Sequence, residues 1–289
     1  MSNRPQCEAH DPTRQCASTP DEVARYFDAN AAGEWGRMDR NPYMQLIWSL
    51  HMDFIADAVR PGLRVLDAGG GSGRYTVELA ESGCEVTLLD ISPGELEFAR
   101  QRLDERGLSA RCVCADIRDM HELGDGEFDL TLCYGAPLSY CLDGREDALR
   151  ELRRVTRPGG LIAASVNGVW GILRHQLCAG ARDFFARQEY WHVLDVARGG
   201  DCPRFSEMDQ PARHFFTADE LRALFEGAGL MAVELGAAPG LCAGALRVPG
   251  LCDDAAAWAT LCELERMTYR DPMLLGGGEF LLARGRVPD

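Results

Sequence analysis

Three glycines stand at alternate positions, Gly69, Gly71 and Gly73, within Val65-Leu66-Asp67-Ala68-Gly69-Gly70-Gly71-Ser72-Gly73. The stretch joins residues 64–68, which read as a strand, to residues 75–82, which read as a helix. Glycines so spaced permit a tight turn and let the backbone approach a ligand closely. The helix that follows opens with amide N–H groups lacking intrahelical partners. Asp90 closes the next strand, where a carboxylate can accept hydrogen bonds from a ribose diol. Together these residues support the binding of a ribose-bearing ligand. The dinucleotide fingerprint G-x-G-x-x-G fails, because Arg74 fills its last position when counted from Gly69. Starting at Gly70 or Gly71 also fails; Asp-x-Gly-x-Gly-x-Gly fits.

The elements that must position these residues follow from periodicity. Residues 21–59 carry apolar side chains at three- and four-residue spacing, among them Leu46, Leu50, Phe54 and Val59, which predicts helices. Asn41-Pro42 breaks them into a segment over 22–30 and a helix starting near Tyr43, and Pro61-Gly62 closes the latter. Short apolar runs then alternate with amphipathic stretches. Strands are expected at 64–68, 85–90, 111–115, 128–133 and 161–166, and helices at 75–82, 94–106 and 146–154. An aromatic-rich excursion over 167–214 interrupts the pattern. A helix at 218–228 with Thr217 as its N-cap, a strand at 231–235, a helix at 253–269 and a strand at 279–283 complete it. This alternation predicts an α/β three-layer sandwich, a mostly parallel sheet with helices on both faces. The organisation expected is a flexible N-terminal arm (1–20), a helical cap segment (21–60) and a ligand-binding domain (61–289) with a cap insertion at 167–214.

The 289 residues carry a net charge of -15, and all 30 basic residues are Arg. An acidic chain repels polyanions, so a nucleic-acid partner is not expected. No run of eighteen apolar residues suggests a membrane span, and the polar N-terminus does not resemble a secretory signal, so a cytoplasmic location is expected. Twelve cysteines occur without a CxxC pair or a histidine at zinc-finger spacing, which favours buried thiols over a metal site. Cys112 and Cys114, two apart on a strand, share one face.

With these residues in place, the chain resembles the class I S-adenosylmethionine (SAM)-dependent methyltransferases of small-molecule type, with a Methyltransf_11-like core. The matches run in order from Val65 to about Val166. The resemblance implies a seven-stranded Rossmann-like sheet, SAM as cofactor and S-adenosylhomocysteine (SAH) as its product. Asp67, Gly69, Gly71 and Gly73, with Gly70 between them, match the motif that wraps the methionine end of SAM. Asp90 matches the acid that binds the ribose hydroxyls, with Ile91 beside the adenine. Ala115-Asp116-Ile117 is similar to the segment whose acid hydrogen-bonds the adenine amino group. Cys133-Tyr134-Gly135 matches the strand end that runs beneath the cofactor. Arg157-Pro158-Gly159-Gly160-Leu161 resembles the turn into the fifth strand.

Methyl transfer from a sulfonium needs mainly positioning and water exclusion, with a general base only where the acceptor must lose a proton. The catalytic group is therefore less legible than the cofactor motif. Candidates come from regions expected to cover the cofactor: Tyr26, Trp35, Tyr43 and His51 before the core; Tyr134 to Tyr140; and Asn167, Tyr190, Trp191, His192 and His214 in the insertion. His214 is the first choice for a base, with Tyr134 beside it, and Tyr26 is expected to reach the cofactor. A small-molecule acceptor in a closed pocket, a monomer or homodimer and no membrane partner complete the expectation. The rival readings are a SAM-binding protein that transfers no methyl group and an NAD(P)-dependent oxidoreductase.

Overall fold

The apolar run Val65-Leu66 and its counterparts in the neighbouring strands are too short for buried helices and are buried on both faces, as a parallel core sheet requires. The computed structural model describes residues 18–186, 190–202, 210–245, 250 and 252–289. In chain order the elements are α1 (Pro20–Asp28), α2 (Ala31–Arg37), α3 (Pro42–Ile55), β1 (Arg64–Ala68), α4 (Arg74–Glu81), β2 (Glu85–Asp90), α5 (Pro93–Glu105), β3 (Arg111–Cys114), β4 (Phe128–Cys133), α6 (Pro137–Tyr140), α7 (Arg145–Val155) and β5 (Thr156–Asn167). The insertion holds α8 (Val169–Ala186), α9 (Tyr190–Gly199), β6 (Asp201–Cys202) and β7 (Arg213–His214). The chain then forms α10 (Ala218–Gly227), β8 (Met231–Ala238), α11 (Ala255–Thr268), α12 (Pro272–Leu275) and β9 (Phe280–Arg286).

Seven strands form one sheet in the order β3-β2-β1-β4-β5-β9-β8. Every pairing is parallel except those of β9 with β5 and β8. The strand order reverses between β1 and β4, and open α/β sheets bind ligands in the crevice above such a point. The expected class I architecture is therefore present.

Differences from the sequence expectation are local. The seven-residue α2 carries Gly33 and Gly36 and gives too short a pattern to register as a helix. β5 starts before Leu161 because Thr156 pairs with Phe128 before the ladder shifts register. Residues 1–17 of the expected arm lie outside the described residues, whereas Thr19 caps α1 and closes a capping box with Glu22. The ten described cysteines form no disulfide with one another. No helix among the described residues is long and apolar enough to cross a membrane.

The insertion packs over the β5–β9 side of the sheet. A Cβ on Gly168 or Gly171 would stand 2.2 or 2.0 Å from the Gly278 carbonyl, so α8 starts in direct backbone contact with the turn into β9. Val169, Val196, Cys202 and Phe215 form its own small core. Nearby, the fully buried Glu265 on α11 accepts amide N–H bonds from Gly240 (2.5 Å), Leu241 (3.1 Å) and Cys242 (2.9 Å), which organises the loop after β8. Glu265→Ala leaves these amides without their charged acceptor and is expected to destabilise the fold by about 3 kcal/mol or more, read by urea unfolding.

Candidate functional site

The glycine turn after β1 is shaped by what lies under each residue. Gly69 has φ +70°, and a Cβ there would come within 2.6 Å of Pro137, so the turns after β1 and β4 close on each other. A Cβ on Gly70 would lie 2.5 Å from the Asp67 carboxyl group. Asp67 is fully buried beneath the turn, where its Oδ2 accepts from the Thr76 hydroxyl at 2.7 Å and its Oδ1 has no partner. Burial pushes its carboxyl up to about 6.

Asp90, at the end of β2, links three segments. Its Oδ2 accepts from Gly71 N at 2.8 Å and its Oδ1 from Ser92 N at 2.8 Å. Desolvation outweighs these bonds and raises its carboxyl to about 6. Asp28, at the end of α1, accepts from the Ser92 hydroxyl (2.5 Å) and from Gly94 N (2.8 Å), placing a negative charge at the start of α5.

These contacts dock α1 and α2 over the crevice. Arg74 fixes the second helix: it donates two 2.8 Å hydrogen bonds to Asp39 and stacks near Trp35 and Trp48. The residue that breaks the dinucleotide fingerprint therefore ties the cap to the core. The resulting cleft encloses about 1030 Å³, counting its open mouth. Val23, Phe27, Met38 and Tyr140 form apolar walls; Asp90, Glu95, Asp116 and the glycine turn line the opposite side.

A second polar group sits at the floor. Tyr75 and Tyr134 line the cleft, and the buried His51 ring lies 5.1 Å from Tyr134, edge to face, and 6.0 Å from Tyr75. His51 Nδ1 is 2.8 Å from the Ile47 carbonyl, which can only accept, so Nδ1 carries the proton and Nε2 presents a lone pair. Burial lowers its pKa to about 4 and keeps the ring neutral. His51 Nε2 and the Tyr75 and Tyr134 hydroxyls have no hydrogen-bond partner.

Comparison with known proteins identifies the family. A methyltransferase-domain family model matches residues 65–160. The tRNA 5-carboxymethoxyuridine methyltransferase of Escherichia coli is 31% identical over 57% of this chain and 62% of its own length. The ubiquinone/menaquinone biosynthesis C-methyltransferase of Cupriavidus necator is 32% identical over 66% of this chain and 76% of its own. The chain belongs to the class I SAM-dependent methyltransferases. Among solved structures, the cyclase SpnF superposes with a TM-score of 0.61 at 18% identity, covering 94% of this chain and 98% of its own, a likeness of fold alone.

For a methyltransferase the crevice fits SAM on its own features. The glycine turn leaves room that a Cβ would fill, and the buried Asp67 and Glu95 carboxylates hold unpartnered oxygens around it. Of the residues expected from the sequence, Gly69, Gly70, Gly71, Asp90, Ile91, Asp116, Ile117 and Tyr134 line the cleft. Asp116 already binds Arg118 through both oxygens. Asp67, Gly73 and Cys133 support the wall from behind: a Cβ on Gly73 would meet Ala99 at 2.9 Å, and Cys133 is fully buried. Tyr26 is not among the lining residues; Val23 and Phe27, one helical turn apart, face the cleft instead.

His214 also lies away from the cleft lining. It is buried in β7, with Nδ1 2.7 Å from Asp201 and its ring against Phe216. Tyr43 is buried against Glu279, and Asn167 ends β5. The side chains of Tyr190, Trp191 and His192 lie outside the described residues. The end of the insertion instead braces the cap: Ala212 N donates to Ser18 Oγ at 2.8 Å, and Arg213 donates to the Tyr140 hydroxyl at 3.2 Å. Sequence reasoning passed over Glu95, Arg37 and Tyr75; a Ser-x-x-Glu pattern at Ser92 was the signal available for the first.

Asp90→Asn is expected to weaken SAH binding, measured by calorimetry, by about 1–3 kcal/mol. Its stability relative to wild type should improve as pH rises from about 4 to about 6. Native Asp90, with its pKa raised, holds a proton across that window that the unfolded chain has released, so the wild type loses stability there. Parallel urea unfolding at the two pH values checks the sign.

Proposed function

We propose that this methyltransferase transfers the methyl group of SAM to a small-molecule acceptor bound between the α1–α2 cap and the core. The observation carrying this reading is the pairing of apolar cap walls with the unpartnered polar floor of Tyr75, Tyr134 and His51. SAM, when bound, supplies a methyl group on a positively charged sulfur that leaves as a neutral thioether. The chain's own task is to align an acceptor atom with that methyl group and to keep water out.

The glycine turn and Asp90 are the residues proposed to hold the adenosyl part, with Ile91, Asp116 and Ile117 at the base. The Tyr75 and Tyr134 hydroxyls would take up the polar group of the acceptor. His51, neutral and with its lone pair on Nε2, would receive the acceptor's proton where one must leave, relayed by a hydroxyl in front of it. His51 and Tyr134 are preferred over His214 for this role because Tyr134 lines the cleft and His51 packs directly against it. Buried thiols are poor competitors: Cys141 at the cleft wall is pushed up to about 12 by desolvation.

The tRNA methyltransferase relative acts on RNA, but the net charge of -15 and the capped cleft favour a small acceptor here. Formation of SAH should be tested against a panel of phenolic, carboxylic and amine metabolites, with total tRNA as a separate arm. Methylation of tRNA alone would overturn the small-molecule reading. With an acceptor in hand, Tyr134→Phe should lower kcat on the order of 100-fold while SAH affinity stays at the wild-type value. An unchanged kcat would remove Tyr134 from the reaction.

A further inference from the structure

Three helices open with Ser or Thr followed three residues later by Glu: Thr19/Glu22, Ser92/Glu95 and Thr217/Glu220. In two of them the carboxylate returns to the amide of the cap residue, at 2.8 Å for Glu22 and 2.7 Å for Glu220. That closes a capping box. At α5 the first half of the box forms, with Glu95 N donating to Ser92 Oγ at 3.0 Å. The second half does not, because Ser92 N donates to Asp90 instead.

Glu95 is thereby released from the helix end. Its side chain is fully buried, both carboxylate oxygens lack a partner, and it borders the cleft. A Cβ on Gly71 would stand 3.7 Å from its carboxyl group, and Gly71 N is held by Asp90. The two acids therefore flank one glycine of the cofactor turn. A desolvated carboxylate without donors is costly, so the group holds its proton at neutral pH unless a ligand in the cleft supplies donors.

We propose that Glu95 is a second ribose-binding acid, which shares the vicinal hydroxyls of the adenosyl group with Asp90. This rests on the placement of SAM in the cleft. A ribose diol presents adjacent O–H donors, and two carboxylates on either side of Gly71 present matching acceptors. Among the described residues, the charged groups acting on Glu95 are Asp28 from α1, Glu34 and Arg37 from α2, and Asp90 from β2; the cation among them, Arg37, is itself paired with Glu34 at 2.9 Å. Burial first, then these acids, push Glu95 up to about 8 in the ligand-free protein. Donors from a diol favour the ionised form, so binding at neutral pH expels a proton.

Calorimetry with SAH and with 2′-deoxy-SAH on wild type, Glu95→Gln and Glu95→Met tests this. Glu95→Met should bind SAH roughly tenfold or more weakly, and 2′-deoxy-SAH should bind wild type and variant with similar affinity. At pH 7, heats measured in buffers of different ionisation enthalpy should show proton release on SAH binding to wild type and less for Glu95→Gln. Ligand-free Glu95→Gln should melt above wild type at pH 8, since the native carboxylate ionises there without a partner. Wild-type affinity in Glu95→Met, equal proton release in wild type and Glu95→Gln, or a lower melting temperature for Glu95→Gln at pH 8 would overturn the proposal while leaving the cofactor placement intact. Failure of the wild type itself to bind SAH would overturn both.

Discussion

The Asp90 carboxylate is the joint on which the cleft depends. One group, desolvated and raised towards neutral pH, holds the turn after β1 through Gly71 and the start of α5 through Ser92. Backbone bonds from Gly69 and Gly70 to Leu89 also tie the turn to β2, but without Asp90 the Gly71 amide loses its acceptor and the Ser92 amide is free to take Glu95 back into the cap. The same helix start receives Asp28 from α1, so the anchor of the cofactor turn is also the landing site of the cap. Strand order, turn and cap thus meet around two acids and a few backbone amides, where the α5 dipole adds to the attraction.

The cap is fastened mostly by polar contacts at the surface. Asp39 in the Arg74–Asp39 pair is half exposed, and pairs of this kind contribute little each. What orients them is the aromatic and apolar contact beneath: Trp35 against Phe98, Arg74 near Trp48, and Val23 and Met38 turned inward. The C-terminal end of the insertion adds Ser18–Ala212 and Tyr140–Arg213, so a segment distant in sequence braces the wall of the cleft.

The two ends of the cleft differ in electrostatic character. Asp67, Asp90 and Glu95 gather at the glycine turn, and burial raises all three carboxyl groups. The other end has neutral donors and acceptors, the tyrosine hydroxyls and the His51 lone pair. Carboxylates left with empty acceptor positions reduce the stability of the ligand-free fold, a cost that binding sites commonly carry in exchange for recognition. A cofactor with a positively charged sulfur and a ribose diol suits the first end.

The half of the cleft proposed to hold the cofactor was legible because its signals are local. Asp67 to Gly73 form one turn, and Asp90 ends the next strand, so spacing alone places both at the sheet's C-terminal edge. Strand and helix order followed from periodicity for the same reason. What depended on rotation about a helix or on contacts between distant segments was not legible. The face of α1 chose Phe27 over Tyr26, and β7 buried His214 beside Asp201, away from the cleft. The packing of α3 against α4 and β4 brought His51 to Tyr75 and Tyr134. Glu95 shows a limit of another kind: its sequence context spells a capping box, but Asp90, only two residues before Ser92, takes the Ser92 amide and leaves the Glu95 carboxyl group unpartnered. By itself the sequence determined the sheet and the residues of the turn, since hydrophobic period and glycine geometry act over a few residues. The tertiary structure alone decided which side chains of separate elements meet in the cleft, because that depends on how helices turn and pack against distant strands.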